Sequence, residues 1–385
     1  MLRKYALSLG FCFLLFTSFY CWILFHGTKK ITMKHNTKSG APITLSSTGG
    51  FEIGGSVIMN GTNPNQTLSC DHGYVEYFLP YTPRKTSLLM WHSSSTQVFQ
   101  NTWSGGPGYK DLWLSRDYPV YLWDGPRVGR ANWGCVPITY TPSYRDAGNF
   151  VAWNFGPEFL EWWEGSQFAG FLGTSENGTE IVDQEARIKA WKAAVRKRYD
   201  EFDTDENVLL HGQTMAVAAD SGKLGNQIVY VTNSAGGLRA QMAVALANGT
   251  NIRGIVAYES IGYIFPASFN LSSYSLTRIP GFGPFVVPDE QFANFKNLKV
   301  QFVWGDHRKE GEDLVGQHVR MSMLVAELIN GVGGQAEVLF LGGDGTGLRG
   351  NTHLAFADEN NESVAGLMEE WLKRMGLDGY VEEGK

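Results

Sequence analysis

Residues 228–240 read IVYVTNSAGGLRA. Apolar and β-branched residues run from Ile228 to Val231, and a stretch rich in Ala, Leu, Met and Gln follows from Gly236 to Leu246, so a strand meets a helix within a few residues. Ser234 stands at the junction. A nucleophilic serine in such a place sits on a sharp, strained strand-to-helix turn, which demands small residues around it. Ala235, Gly236 and Gly237 meet that demand; Thr232, two residues before the serine, is a larger, β-branched departure from the usual glycine. No G-x-S-x-G occurs elsewhere in the chain to offer a better-placed serine.

Similar apolar runs recur on both sides. TSLLMWH (86–92), YPVYLWD (118–124), NQIVYV (226–231), IRGIVAYE (252–259), LKVQFVW (298–304) and AEVLFLG (336–342) are nearly continuous, as expected of strands covered on both faces. FEIGGSVIM (51–59) and GYVEYFLP (73–80) read as a paired start of the sheet. Helical patterns over 236–246, 312–329 and 363–375 alternate with the later strands. That alternation predicts an α/β fold with a mostly parallel, doubly wound sheet. Residues about 125–222 interrupt it and are expected to form a helical, aromatic-rich cap carrying Trp153, Phe155, Phe159, Trp162, Trp163, Phe168 and Phe171. That cluster either lines an apolar substrate pocket or forms the cap's own core.

A serine hydroxyl is almost wholly protonated at neutral pH, so it needs a base, and the base needs a carboxylate to fix its tautomer. His353 in GNTHLAFAD lies after the last strand and before the last helix, where the order nucleophile, acid, histidine requires the base. Two carboxylates compete for the third role. Glu259 ends the strand after the nucleophile, and Asp306 follows the next strand in VQFVWGDH. The pattern alone leaves both open and leans to Asp306.

Composition limits the partners. The 385 residues carry a formal charge of −6, against a nucleic-acid partner, which needs a basic face. No H-E-x-x-H or C-x-x-C is present, and GGDGTGLRG (342–350) lacks the Lys-Ser/Thr of a phosphate loop, so neither metal nor organic cofactor is expected. Near the start, Tyr5 to His26 is a run of 22 residues without a formal charge. Residues 1–30 are read as an uncleaved signal anchor or a signal peptide, followed by a linker over 31–50 and a main α/β domain over 51–380. Asn60, Asn65, Asn177, Asn248, Asn270 and Asn361 begin N-x-S/T sequons, consistent with a body in the secretory pathway, secreted or membrane-anchored. Cys12 and Cys21 lie in the apolar run, which leaves Cys70 and Cys135 to form one disulfide in an oxidising compartment.

Taken together, MWHSSS, RDYPVYLWDGPRVGRA, WNFGPEFLEWWEGSQF, VTNSAGG, VAYES, FVWGDH and GLRGNTHLAFADENN, spanning about 90 to 375, resemble the α/β-hydrolase superfamily. More narrowly they resemble the bacterial esterase 713-type serine esterases. The resemblance implies that the acid is Glu259, with Asp306 as the reserve. It implies an oxyanion hole formed by the amides of Ala235 and of the loop after the third strand. That loop has His-Gly in the group but His92-Ser93-Ser94 here, and Ser94 is taken as the donor. The implied activity is hydrolysis of a carboxylic ester through an acyl-enzyme, on a small-molecule ester. Two other readings keep the fold: a lactone or natural-product ester hydrolase using the same site, and a hydrolase-fold binding protein whose site has decayed. Oligomeric state and physiological substrate have no signature in the chain.

Overall fold

The computed structural model describes residues 42–93, 95–139, 142–197, 203–342 and 346–381. Eight strands form one sheet: β1 (Leu45–Met59), β2 (Thr67–Pro80), β3 (Ser87–His92), β4 (Val120–Asp124), β5 (Ile228–Asn233), β6 (Ile252–Tyr258), β7 (Lys299–Trp304) and β8 (Gln335–Phe340). Their order across the sheet is β1-β2-β4-β3-β5-β6-β7-β8. β1 and β2 form an antiparallel hairpin, β2 pairs antiparallel with β4, and the strands from β4 to β8 run parallel. Every residue of β3, β4 and β5 is buried, which explains why these strands read as unbroken apolar runs.

Helices cover both faces. They are α1 (Tyr109–Leu114), α2 (Asp146–Ala152), α3 (Gln184–Ala194), α4 (Asp205–Asp220), α5 (Ala235–Leu246), α6 (Leu314–Gly331) and α7 (Asn361–Arg374). On one face Met215 of α4, Leu238 and Ala243 of α5, and Val319 and Val325 of α6 pack on Leu89, Tyr230, Ile255 and Phe302. On the other, Trp113 of α1 and Met368 and Trp371 of α7 pack on Leu88, Leu122, Val229 and Val256. Side-chain caps set helix starts: Asp313 accepts the Val315 and Gly316 amides at 3.1 and 3.0 Å, and Thr204 accepts that of Asn207 at 3.2 Å.

Two boundaries differ from the sequence expectation. β1 begins at Leu45, inside the stretch read as a linker over 31–50, because the exposed edge of a sheet tolerates the polar LSSTGG start. The insertion ends before α4 rather than at 222. α4 packs on α5 and on β1, and its His211 Nε2 donates to the Pro126 carbonyl at 2.8 Å while the ring stacks on Trp91 of β3. The helix is therefore part of the sheet-bearing body. Within the insertion, Phe150, Phe155, Phe168 and Trp191 are buried against one another; of the seven aromatics singled out in the sequence, Phe155 and Phe168 belong to this core, whereas Phe159 and Phe171 are exposed.

Cys70 and Cys135 form a disulfide, with Cα atoms 5.0 Å apart, joining β2 to the segment after β4. Beside it Arg127 donates to both carboxylate oxygens of buried Asp71 at 2.8 and 2.9 Å, and the Cys135 amide donates to the same carboxylate. Residues 1–30, with their apolar run, lie outside the described residues, as does most of the 31–50 stretch up to 41; among the described residues no helix is long and apolar enough to cross a membrane. Of the sequons, Asn361 is corrected by the structure. Its side chain is buried and its amide donates to the Pro107 and Phe356 carbonyls, leaving no place for a glycan. Asn60, Asn65, Asn177, Asn248 and Asn270 are exposed.

Candidate active site

The end of β5 builds the first component. Ser234 adopts φ 56° and ψ −134°, a region that L-residues rarely occupy and hold only when their surroundings enforce it. Three backbone hydrogen bonds enforce it here. The Ser234 amide donates to the Tyr258 carbonyl at 3.1 Å, and the Ser234 carbonyl accepts from Gly237 at 2.9 Å and Ile261 at 3.1 Å. The two following glycines are required by close approach. A Cβ on Gly236 would lie 2.5 Å from the Trp91 carbonyl oxygen, and one on Gly237 would strike the Ser260 side chain. Thr232 is tolerated because it is a buried strand residue whose register partner on β6 is Ala257, a small residue.

The candidate acid and base meet across the next strand ends. His353 Nδ1 and Glu259 Oε2 are 2.7 Å apart, and both side chains are buried. With the carboxylate accepting, the proton on that nitrogen fixes the ring tautomer and leaves Nε2 to act as a base. Glu259 also accepts the Gly305 amide at 3.0 Å and a guanidinium fork from Arg308, with contacts of 2.8 to 3.1 Å. Burial on its own would raise the Glu259 pKa; the charge of Arg308 and the bond to His353 more than offset that and hold it at about 2. The group is thus a permanent anion at physiological pH.

Asp306, the reserve acid, makes no contact with His353. Its Oδ2 accepts the Gly350 amide at 2.9 Å and its Oδ1 the His307 amide at 2.9 Å, so it shapes the loop that carries the histidine. A second buried carboxylate, Asp358, holds that loop from below by accepting the Thr352 amide at 2.7 Å, the Thr352 hydroxyl at 2.9 Å and the Trp103 indole at 3.0 Å. Asn233 joins the two halves of the site: its amide donates to the Tyr258 carbonyl at 3.0 Å and to the His353 carbonyl at 2.8 Å.

Of the two expected oxyanion donors, Ala235 opens α5, so its amide is among the helix's first and has no acceptor within the helix. Ser94 lies outside the described residues. The residues around it are fixed: the Ser95 amide donates to His92 Nδ1 at 3.2 Å, and the Ser93 carbonyl accepts from Arg239 at 2.9 Å. Arg239 is buried and its other terminal nitrogen pairs with Asp203 at 2.8 Å.

Ser234, Ala235, Ser93, His92 and His353 share the wall of one cavity of about 240 Å³. Of the seven cap aromatics singled out in the sequence, only Trp153 reaches it. Arg308, Arg239, Asn233 and Asp358 were missed by the sequence reading. Nothing in the local pattern marks them, because each reaches its partner through the tertiary fold. Among the described residues no group of three or more His, Cys, Asp or Glu side chains is arranged to hold a metal ion.

No protein-family model matches the chain. It is similar to a curated protein named "Probable secreted lipase phiG" from Fungal sp. (strain ATCC 74256), with 22% identity over 362 residues, covering 84% of this chain and 91% of the other. It also superposes on the solved structure of a bacterial esterase, described as novel, with a TM-score of 0.65 and 19% identity over 87% of this chain and 97% of that one. The fold is therefore that of the α/β hydrolases, in agreement with the strand order and the covered, mostly parallel sheet.

Proposed function

We propose that this α/β-hydrolase-fold chain is an exported serine esterase that cleaves carboxylic esters through a Ser234-His353-Glu259 triad. Ser234 Oγ attacks the ester carbonyl while His353 Nε2 takes its proton. The tetrahedral oxyanion is held by the amides of Ala235 and of the loop at 92–95, where Ser94 is the proposed donor. Collapse breaks the carbon–oxygen bond, and the leaving alcohol takes the proton from His353. Water, deprotonated by the same nitrogen, then releases the acid and restores the serine. Glu259 orients the imidazole and stabilises its cationic form.

The observation that carries this reading is the 2.7 Å His353–Glu259 contact at the wall of the cavity that also holds the strained Ser234. The names of the two similar proteins, a lipase and an esterase, point the same way. A cavity of about 240 Å³ lies just below the usual range for small-molecule sites and favours a short acyl or alcohol group. Export is supported by the uncharged run near the start and by the word secreted in the relative's name; the exposed sequon asparagines would then be open to glycosylation.

The test is labelling of the folded protein with a fluorophosphonate, followed by peptide mapping, alongside turnover of short p-nitrophenyl esters. Label on Ser234, and loss of both label and turnover in Ser234→Ala with an unchanged circular dichroism spectrum, is the expected result. Undiminished turnover in Ser234→Ala would sink the proposal. A folded protein that takes no label would move the binding-protein reading to the front.

A further inference from the structure

One wall of the cavity is a single column of residues on α2 and its two ends. Arg145, Asn149 and Trp153 all line it. They stand one turn apart: the Asn149 amide donates to the Arg145 carbonyl at 2.8 Å, and the Trp153 amide to the Asn149 carbonyl at 2.8 Å. The column ends beside the candidate base, because the Trp153 carbonyl accepts the His353 amide at 2.9 Å. It begins at the exposed rim with Arg145, about 12 Å away along the helix. Among the described residues the Arg145 guanidinium has no hydrogen-bond or ion-pair partner, and neither has the half-buried Asn149 carboxamide. The wall also holds a carboxylate, Asp203, but that charge is offset by the Arg239 guanidinium at 2.8 Å. The mouth of the cavity therefore keeps a cation with its donors turned to no protein acceptor. A guanidinium presents a planar fork of N–H groups that matches a carboxylate, which makes it a selective group and not only a charge.

We propose that Arg145 selects the substrate: its guanidinium binds a carboxylate carried on the ester's acyl or alcohol chain, so that acid-bearing esters are preferred over neutral ones. Asn149, one turn along, supplies a further donor to the same group. The proposal rests on the esterase reading of the same cavity and names a substrate class for it. Arg145 holds the far end of the substrate and takes no part in proton transfer.

The test measures binding in the full chain with Ser234→Ala, where no turnover occurs. The probes are monoethyl succinate and monoethyl adipate, with the carboxylate on the acyl chain, and 4-acetoxybutanoate, with it on the alcohol. Each is compared with its primary amide, which has the same shape and no charge. At least one acid should bind about tenfold or more tightly than its amide at low salt, the size of one charge-assisted hydrogen bond at a partly solvated rim. That preference should shrink severalfold when sodium chloride is raised from about 0.05 to about 0.5 M, as screening of an ion pair requires. It should vanish in Arg145→Gln and be unchanged in Arg253→Gln, at the opposite end of β6 from the site. With arginine labelled by ¹⁵N, the Arg145 Nε–H resonance should move on adding the favoured acid and stay put with its amide; this readout needs no substitution at 145 beyond the one that assigns the signal. Equal binding of acids and amides, no binding of any probe, a preference that ignores salt, survives Arg145→Gln or is lost equally in Arg253→Gln, or an unmoved resonance overturns the proposal. Failure of the esterase reading appears separately, as absent fluorophosphonate labelling of the Ser234 protein.

Discussion

Replacing Arg308 by Met tests how the candidate acid is kept ionised. Arg308 grips both oxygens of Glu259 and also donates to the Ala152 carbonyl at 2.8 Å. The Glu259 pKa falls from 4.5 to about 2, so at 1.36 kcal/mol per pH unit the carboxylate contributes about 3 kcal/mol of stability at neutral pH. The folded-state value is the lower one. The contribution is therefore fully present above the unfolded value of 4.5, is lost as pH falls, and is about 1 kcal/mol near pH 2.5. Arg308→Met leaves a buried anion with only the His353 ring and the Gly305 amide beside it, and burial then dominates. Breaking a buried pair in this way typically costs about 3–5 kcal/mol. The expected outcome is a destabilisation of about 3 kcal/mol or more at pH 7 that shrinks to about 1 kcal/mol near pH 2.5, because Glu259 is increasingly protonated in both proteins. Urea denaturation of the two proteins at pH 7, 5, 3.5 and 2.5 reads it directly. A loss below about 1 kcal/mol at pH 7, or one that does not change with pH, would refute the argument that Arg308 is what offsets the burial of Glu259.

The two carboxylates should separate kinetically. Glu259→Gln, which keeps the shape and loses the charge, should lower kcat by about 10⁴-fold, as loss of the orienting acid does in other triads, while Asp306→Asn, whose contacts are to Gly350 and His307, should cost less than about tenfold; steady-state hydrolysis of a p-nitrophenyl ester decides, and equal losses would remove the distinction. The Cys70–Cys135 link closes a separation of 65 residues, so Cys135→Ser should lower unfolding free energy by about 4 kcal/mol in non-reducing urea titrations with ester turnover retained at 25 °C. An unchanged midpoint would mean that the disulfide contributes nothing.

The strained turn at Ser234 was legible because it imposes a local requirement: Gly236 and Gly237 lie where a Cβ would meet the Trp91 carbonyl or Ser260. The candidacy of His353 came from chain order, its place after the last strand. The choice between Glu259 and Asp306 was not legible, since β6 and β7 are neighbours and both residues follow the ends of their strands. Only the tertiary structure reveals which carboxyl turns toward His353. The end of the insertion was misjudged for a related reason. Val208, Met215 and Ala219 of α4 have the composition of any buried helix, and nothing in them says that the surface they cover is the sheet. β1 was cut short because an exposed edge carries little apolar signal. Arg308 and Arg239 were invisible because long side chains act on partners remote in sequence.

The pair of hydrogen bonds donated by the Asn233 side chain makes one mechanical unit of the turn at Ser234 and the His353 loop. Neither segment can separate from the other without giving up a buried hydrogen bond, and the same amide group supplies the bond to β6. Fluctuations that open the loop at 351–358 must therefore also loosen the end of β5, and amide hydrogen exchange in the two segments should proceed at a common free energy. Partial unfolding would then release the Ser234 turn and the His353 loop together, so a warmed population would divide into molecules with both segments ordered and molecules with neither, with no form between them.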